Sequence, residues 1–443
     1  MELYDINGIH KKYLSKEIIM KIKAALRVCF LAIGIAGLVS CVPVKEKPKS
    51  QIPIPKSLSN TIKDSGEAQP NWKDVPALKD AYKDYFDYFG FAIPEAQLKD
   101  KNIMAGASYQ ASCFTCENEC KPDFIFNWSK PTSVVDFKGE DGHLYKVPES
   151  LSGFIRLNQI LEIARDNNMK MRGHVLVWHN QTPDWFFKKN YTSGEPYVEK
   201  EEMNARLEWY IKSVLEFVKS WEDIYNGGKR IIITWDVVNE ACTDGTWTDN
   251  PLRTTSHWYN IYKDDTLIVN AFRYANRYAP ADVKLAYNDY SCYSPSKTKA
   301  ICKVVEHIQA TRDARIDVVG MQSHVSMIYP TLLDYEKAVQ TFLALGVDVQ
   351  VTEMEIAFGG KLASQEALGE LYAQYFELFL KYRKLPGKNG ISGITLWGTR
   401  DEVSWVRNNA DAMNKLQRPL LFEKDYECKP AFFKVLETAQ NLK

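Results

Sequence analysis

The chain has 443 residues, 45% of them hydrophobic, enough for one large core and, by length alone, for up to about three domains. Lys and Arg together number 56, as do Asp and Glu, so the formal net charge is zero and nothing favours a phosphate backbone or an anionic bilayer. Nucleic acid is therefore not an expected partner. The 24 tyrosines and 11 tryptophans supply faces that can stack on sugar rings, although taken alone they are equally ordinary core and surface aromatics.

The segment 20–41, MKIKAALRVCFLAIGIAGLVSC, opens basic at Lys21, Lys23 and Arg27 and continues into an apolar run. That run is about a dozen residues long, too short and too abruptly ended for a membrane-spanning helix, and reads as a signal peptide with Met20 as a plausible start. Its end, Leu38-Val39-Ser40-Cys41, resembles the lipobox of bacterial lipoproteins, in which the cysteine is acylated and becomes the mature N-terminus. A plain secretory signal or an N-terminal anchor helix is the alternative. Residues 42–71 mix Pro, Lys and Ser without helical or strand period and are expected to form an extended tether. The expected location is thus the cell envelope of a bacterium, periplasmic or at the surface, with membrane contact through the lipid alone.

Of the nine cysteines, Cys29 falls in the leader and Cys41 is the expected lipid site. Cys113, Cys116, Cys120, Cys242, Cys292, Cys302 and Cys428 remain, an odd number that cannot all pair. Export permits disulfides, but the density is not that of a disulfide scaffold.

From Trp72 to Lys443 short apolar runs alternate with stretches of helical period. Candidate strands are 89–93, 114–118, 171–178, 231–239, 283–288, 318–323, 347–352 and 391–397. Between them, Leu207, Tyr210, Ile211, Val214, Leu215 and Val218, and again Leu368, Leu371, Tyr372, Tyr375, Phe376 and Phe379, follow the i, i+3, i+4 spacing of one buried helix face. Strands alternating with helices in this number predict a single (β/α)₈ TIM barrel over 72–443. In such a barrel the chemistry sits at the C-terminal strand ends. Polar and aromatic groups cluster where the apolar runs stop: Glu117, Asn118 and Lys121; His174, Trp178, His179 and Gln181; Asn239 and Glu240; Asn288 and Asp289; Gln322 and His324; Glu353; Trp397.

Two of these are glutamates ending apolar runs, Glu240 after the fourth candidate strand and Glu353 after the seventh, which a barrel sets across its mouth from each other. A carboxylate pair across a cleft is what glycoside hydrolysis requires, one group to protonate the leaving oxygen and one to attack or to activate water. Taken singly, each glutamate is as readily a salt-bridge partner or a helix cap.

The motifs decide between these readings. TCENECKP at 115–122, RGHVLVWHNQTPDW at 172–185, WDVVNE at 235–240, YNDYS at 287–291, GMQSHV at 320–325, VTEMEI at 351–356 and GITLWGTRDEVSW at 393–405 follow one another in order. Together they resemble the strand-end motifs of glycoside hydrolase family 10, the endo-1,4-beta-xylanases, over roughly residues 75–440. The resemblance implies that Glu240 is the acid/base and Glu353 the nucleophile of a retaining enzyme. It implies that Asn239 bonds the sugar 2-hydroxyl, that His324 contacts Glu353 and that Gln322 lies near Glu240. Glu117, Asn118, Lys121, His174, Trp178 and Gln181 match positions that bind sugars on the non-reducing side of the cut. Trp397 and Trp405 match the tryptophans walling the cleft, and Tyr290 is a candidate stacking platform on the other side. In this mechanism Glu240 carries a proton at the start, which the negative Glu353 favours, and acts as base once Glu353 is glycosylated.

Three departures stand out. Where the family usually reads T-E-L-D, the chain has Thr352-Glu353-Met354-Glu355, so the supporting carboxylate Glu355 is one methylene longer, which questions its hydrogen bonding around His324. Cys116 and Cys120 replace the usual alanine and methionine, and Asn180 the commoner serine. Cys113, Cys116 and Cys120 also spell C-x₂-C-x₃-C, a possible thiolate set for zinc or an iron–sulfur cluster. Alternation along a strand makes their convergence awkward, and small buried thiols are the preferred reading. His179 reads as structural without the family pattern. The chain is thus read as a monomeric endo-1,4-beta-xylanase acting on xylan or xylo-oligosaccharides, without metal or cofactor because the carboxylates supply the chemistry. The alternatives are a barrel glycosidase acting on another β-glucan and a surface glycan-binding lipoprotein without turnover.

Overall fold

The computed structural model describes residues 70–358, 363–408 and 416–442. The leader, the lipobox Cys41 and the tether as far as residue 69 lie outside the described residues. In chain order the strands are β1 (Tyr88–Ile93), β2 (Cys113–Cys116), β3 (Val134–Lys138), β4 (Leu144–Pro148), β5 (Lys170–Trp178), β6 (Ile232–Asn239), β7 (Lys284–Asp289), β8 (Val318–Met321), β9 (His324–Ser326), β10 (Asp348–Ala357) and β11 (Ile391–Leu396). Apolar runs without alternation need cover on both faces, and a parallel sheet flanked by helices supplies it. Every residue of β1, β2, β8 and β11 is buried. Eight strands pair in parallel in the order β11, β1, β2, β5, β6, β7, β8, β10, and pairing of β10 with β11 closes the ring. The predicted (β/α)₈ barrel is the fold. The periodic helix faces pack inward as expected, Leu207 to Val218 within Lys200–Tyr225 and Leu368 to Phe379 within Gln365–Lys381.

All eight candidate strands form, with two informative differences. Glu117 and Asn118 follow β2 instead of ending it. Glu353 is not the end of its strand, because β10 continues to Ala357 and pairs there with β9. Between Val351 and Met354 the register with β11 slips, and similar slips fall between His174 and Val177 on β5 and between Asp236 and Val238 on β6. An extra residue on one strand bends it and re-aims the side chains beyond. The slips lie at the C-terminal mouth, beside His174, Asn239 and Glu353.

The β3–β4 hairpin was not anticipated. Its strands pair antiparallel from Val134 with Pro148 to Lys138 with Leu144, around a turn in which Gly142 takes φ 84°. Glu140 in that turn bonds Arg273 at 3.0 Å and Arg277 at 2.6 Å on the helix Thr266–Tyr278.

Inside the ring, glycines make room for large neighbours. A Cβ at Gly173 would come within 2.3 Å of the Trp235 ring, and one at Gly393 within 2.2 Å of Tyr88. The space also holds a buried ion pair. Arg172 bonds Asp236 through two nitrogens, at 2.5 and 3.0 Å, and donates Nε to Gln350 at 2.9 Å. The other Asp236 contact is His174 Nδ1 at 2.9 Å. Burial would push the Asp236 carboxyl up, but the Arg172 charge and the His174 bond outweigh it and hold the pKa below the ordinary value. Six of the seven described cysteines are buried, Cys302 is half-buried, and all are free thiols.

Breaking a buried pair from one side leaves an uncompensated charge. Arg172→Met is therefore expected to lower stability by about 3–5 kcal/mol, read as a fall in the urea unfolding midpoint.

Candidate active site

At the C-terminal mouth the strand ends enclose a cavity of about 500 Å³. Glu117, Asn118, Lys121, His174, Trp178, Asn239, Glu240, Tyr290, Gln322, His324, Glu353, Trp397 and Trp405 line it, so thirteen of the residues singled out from sequence converge there, joined by Ser291. Gln181 and Glu355 stand behind this lining. Gln181 accepts from Lys121 Nζ at 3.1 Å and donates to Asn118 at 3.3 Å. Glu355 backs His324.

Glu240 sits just past β6 with φ 55°, a left-handed conformation that costs a non-glycine residue about 1–3 kcal/mol. Its backbone is fixed from both sides, N–H to the Asn288 carbonyl at 2.9 Å and carbonyl to Arg253 Nε at 3.2 Å. Three N–H donors converge on the carboxyl: Trp178 Nε1 at 2.8 Å, Gln322 Nε2 at 2.8 Å and Asn239 Nδ2 at 3.1 Å. The Gln322 contact is the one the motif resemblance implied. Trp178 lines the cavity, but its N–H is committed to Glu240.

Glu353 is buried on β10. One carboxyl oxygen accepts from Asn288 Nδ2 at 2.8 Å and the other meets His324 Nε2 at 3.1 Å. The His324 ring is held on its far side by Glu355, Nδ1 to Oε1 at 2.8 Å, and the second Glu355 oxygen accepts from Ser404 at 3.2 Å. The extra methylene of Glu355 thus leaves its bond to His324 intact, because His324 and Glu355 face each other in register on β9 and β10. For Glu353, burial works to raise the pKa, but the His324 bond, the His174 and His324 charges and the Asn288 amide bring it below the ordinary carboxylate value. Burial likewise opposes a charged His324, and its bonds to two carboxylates win, raising its pKa from 6.5 to about 10.

The two carboxylates end one chain of amides. Gln322 Nε2 reaches both Glu240 and, at 3.3 Å, Asn239 Oδ1. Asn288 Nδ2 reaches both Asn239 Oδ1 at 2.9 Å and Glu353. On one side of this pair, Glu117 is pushed up to about 7 by burial and by repulsion from Glu119 and Glu355, against the pull of Lys121. At neutral pH this carboxyl can both donate and accept toward a hydroxyl. Lys121, whose pKa burial lowers against the pull of Glu353 and Glu240, bonds Asn118 at 3.2 Å and lies 4.8 Å from the Trp178 ring centroid.

With its Nδ1 on Asp236, His174 presents Nε2 as the remaining ring nitrogen, and its ring meets Trp397 edge-on at 5.6 Å. Trp405 is 46% exposed and, like Trp397, edge-on to His324, at 5.3 and 6.2 Å. The Tyr290 hydroxyl accepts from Arg253 at 2.8 Å, and Lys297 Nζ stands 4.3 Å from its ring centroid. His179 lies 3.8 Å from Glu240 with Nδ1 unpartnered, and burial together with Arg253 lowers its pKa.

Sequence reasoning placed Asn288 at a strand end but gave it no role, and it overlooked Arg172 with Asp236, Arg253 and Ser404. A charged residue inside an apolar run has to find a partner, and that signal was present for Arg172 and Asp236. Nothing in the sequence singles out Arg253, which lies on a loop, and Ser404 falls within the 393–405 motif without any signal of its partner.

Glycosyl hydrolase family 10 matches residues 77–438. The bifunctional endo-1,4-beta-xylanase XylA of Ruminococcus flavefaciens is 34% identical over 371 residues, which cover 82% of this chain and 34% of that protein. Endo-1,4-beta-xylanase B of Butyrivibrio fibrisolvens is 34% identical over 364 residues, covering 82% of this chain and 53% of that one. The chain therefore spans about a third to a half of the length of these relatives. Among solved structures, a mutant of an intracellular xylanase from Thermoanaerobacterium saccharolyticum in complex with xylotriose matches with a TM-score of 0.66 and 30% identity, over 82% of this chain and 98% of that one.

Because His324 keeps Glu353 ionised, His324→Ala is expected to move the Glu353 carboxyl titration to higher pH, measured by carbon-13 NMR of labelled glutamate. The charged pair contributes stability that is complete only between two limits. The Glu353 part is lost as pH falls through its lowered pKa, and the His324 part is lost as pH rises from 6.5 through about 10.

Proposed function

Because this chain belongs to glycosyl hydrolase family 10, we propose that it is a retaining endo-1,4-beta-xylanase that cuts internal β-1,4-xylosidic bonds by double displacement. The observation that carries this reading is the contrast between two carboxyls on one amide chain, Glu353 held as an anion by His324 and Asn288, Glu240 ringed by neutral N–H donors. The names of the relatives point to xylan, and the ligand of the Thermoanaerobacterium structure is a xylo-oligosaccharide.

In the first half-reaction a Glu353 oxygen attacks the anomeric carbon while the glycosidic bond breaks and Glu240 gives its proton to the departing oxygen. Asn239 would hold the 2-hydroxyl, a contact that strengthens as the ring flattens towards an oxocarbenium ion. Glycosylation removes the Glu353 charge, which lets Glu240 act as base. In the second half-reaction water attacks the same carbon, the bond to Glu353 breaks and the water proton passes to Glu240. Glu117, Asn118, Lys121, His174, Trp178 and Gln181 would hold sugars on the non-reducing side, Trp397 and Trp405 would wall the cleft, and Tyr290 would stack a sugar beyond the cut. Lipid attachment at Cys41 would hold the mature, monomeric chain at the cell envelope, acting on xylan or xylo-oligosaccharides there.

Proton NMR of xylohexaose cleavage should show the β-anomer as first product, and Glu353→Ala should cut kcat by at least about 10⁴-fold. An α-anomer formed first, or full turnover by that variant, would sink the assignment. For the anchor, Cys41→Ala is expected to shift the protein from the membrane to the soluble fraction and to abolish labelling by radioactive palmitate.

A further inference from the structure

Of the eleven tryptophans only two are left about half exposed, Trp405 at 46% in the lining of the catalytic cavity and Trp128 at 53% outside it. The reaction described above does not use Trp128. It follows the one-turn helix Pro122–Ile125, which starts directly after Lys121, and its N–H turns back to the Asp123 carbonyl at 2.9 Å. Asn127 and Trp128 both take a left-handed backbone, φ 52° and 54°, a conformation that two successive residues with side chains adopt only where the surroundings impose it. The ring is held in place by its neighbours. It stands edge-on to Phe124 at 4.4 Å, and the Arg156 guanidinium lies 5.7 Å from its centroid. Arg156 in turn donates to the Phe124 carbonyl at 3.3 Å and pairs with Glu95 at 3.5 Å. A rigid indole kept in water beside a polar cleft is a ready contact surface, because little side-chain freedom is left to lose on binding.

We propose that Trp128 is a stacking platform for a main-chain xylosyl unit on the non-reducing side, farther from the cut than the sugars at Glu117, Asn118 and Lys121. The inference rests on the xylanase reading above. Two separate paths of bonds join the platform to the cleft. Asp123, whose carbonyl holds the Trp128 N–H, gives its own N–H to the Gln181 carbonyl at 2.9 Å, and the Gln181 side chain bonds Lys121 and Asn118. On the other path Glu95, the partner of Arg156, gives its N–H to Glu119 at 2.9 Å, and the second Glu119 oxygen accepts from the Asn118 N–H at 3.2 Å. The ring is thus fixed relative to Asn118 and Lys121, as a contact along one continuous chain of sugars has to be. Chemistry selects the occupant. An indole face suits the apolar face of a sugar ring, and the Arg156 charge is already matched by Glu95, so the unit it favours is neutral. Asn127 and Ser129, exposed on either side of Trp128 in the turn, add polar groups for hydroxyls at the ring edge.

The test compares the full chain with Trp128→Ala and Trp128→Phe on xylotetraose and xylohexaose. In Trp128→Ala, kcat/KM on xylohexaose should fall about tenfold while that on xylotetraose stays within about twofold, and Trp128→Phe should recover most of the loss. With oxygen-18 at the reducing end, mass spectrometry of the xylohexaose products should show the cut moving towards the non-reducing end in Trp128→Ala, because nothing then draws the extra units past Lys121. An equal loss on both lengths overturns the proposal, since it would make Trp128 a support of the cleft and not a contact of a distant sugar. An unchanged rate and cut position on xylohexaose overturn it as well. Calorimetry of xylohexaose on Glu353→Ala, with and without Trp128→Ala, reads the platform without turnover, and equal affinities refute it. A wild-type chain that cuts neither oligosaccharide would refute the xylanase reading itself, whereas one that cuts both and is indifferent to Trp128 refutes the platform alone.

Discussion

A carboxylate buried at the mouth of the barrel and kept ionised is the constraint on which the rest of the site depends. Removing the Glu353 charge from water costs several kcal/mol unless bonds and a countercharge replace the lost solvation. His324 supplies the countercharge and Asn288 a neutral donor. His324 can stay charged in turn because Glu355 holds its other nitrogen, and Glu355 is itself bonded by Ser404. The requirement passes outward from β10 to β9, to β7 and to the turn beyond β11, so four separate parts of the chain have to meet before one charge is tolerable. Barrel closure by β10 and β11 brings them together.

Asn288 is where the two carboxyls become one device. Its carbonyl fixes the backbone of Glu240 in a left-handed conformation, and its amide bonds both Glu353 and Asn239. Its own oxygen accepts from Thr352, so the side chain cannot flip without losing three contacts. The neighbouring strand makes room for it: a Cβ at Gly320 would lie 2.4 Å from Asn288 Oδ1. A small residue on β8 is thus a condition for the spacing of the groups on β6 and β10, although it touches neither glutamate. The strain at Glu240 fits the same account, since a backbone held off its preferred conformation persists only where the surroundings over-determine it.

Much of this was legible in the sequence, for identifiable reasons. Apolar runs of strand length survive as strands because a parallel barrel buries both of their faces, and the polar groups at their ends converge because closure leaves them nowhere else to go. Alternation failed at the mouth. The register slips beside His174, Asn239 and Glu353 add a residue where the side-chain direction matters most, and a period-two reading cannot see an insertion of one. Glu353 looked like a strand end for this reason, although β10 runs four residues further. The β3–β4 hairpin carried a signal in Asp141-Gly142 between two short runs, a frequent hairpin turn, but half-exposed strands lack the apolar continuity that marked the others. Arg253 was not legible at all and Ser404 only as a position within the 393–405 motif, because loop residues acquire partners only from the fold.

The longer carboxylate at position 355 shows how a departure in sequence is absorbed. A glutamate has one more torsion to freeze than an aspartate, and an unfastened one would trade its bond to His324 for other rotamers. Ser404 removes that freedom by holding the second oxygen, and Glu355 is itself buried. The residue can therefore serve two surfaces at once: one oxygen steadies the histidine that keeps Glu353 charged, while the rest of the side chain forms part of the pocket between Trp405 and Tyr329. The charge on Glu353 and the lining of the side cavity are thereby joined through a single carboxylate, without any movement of the barrel.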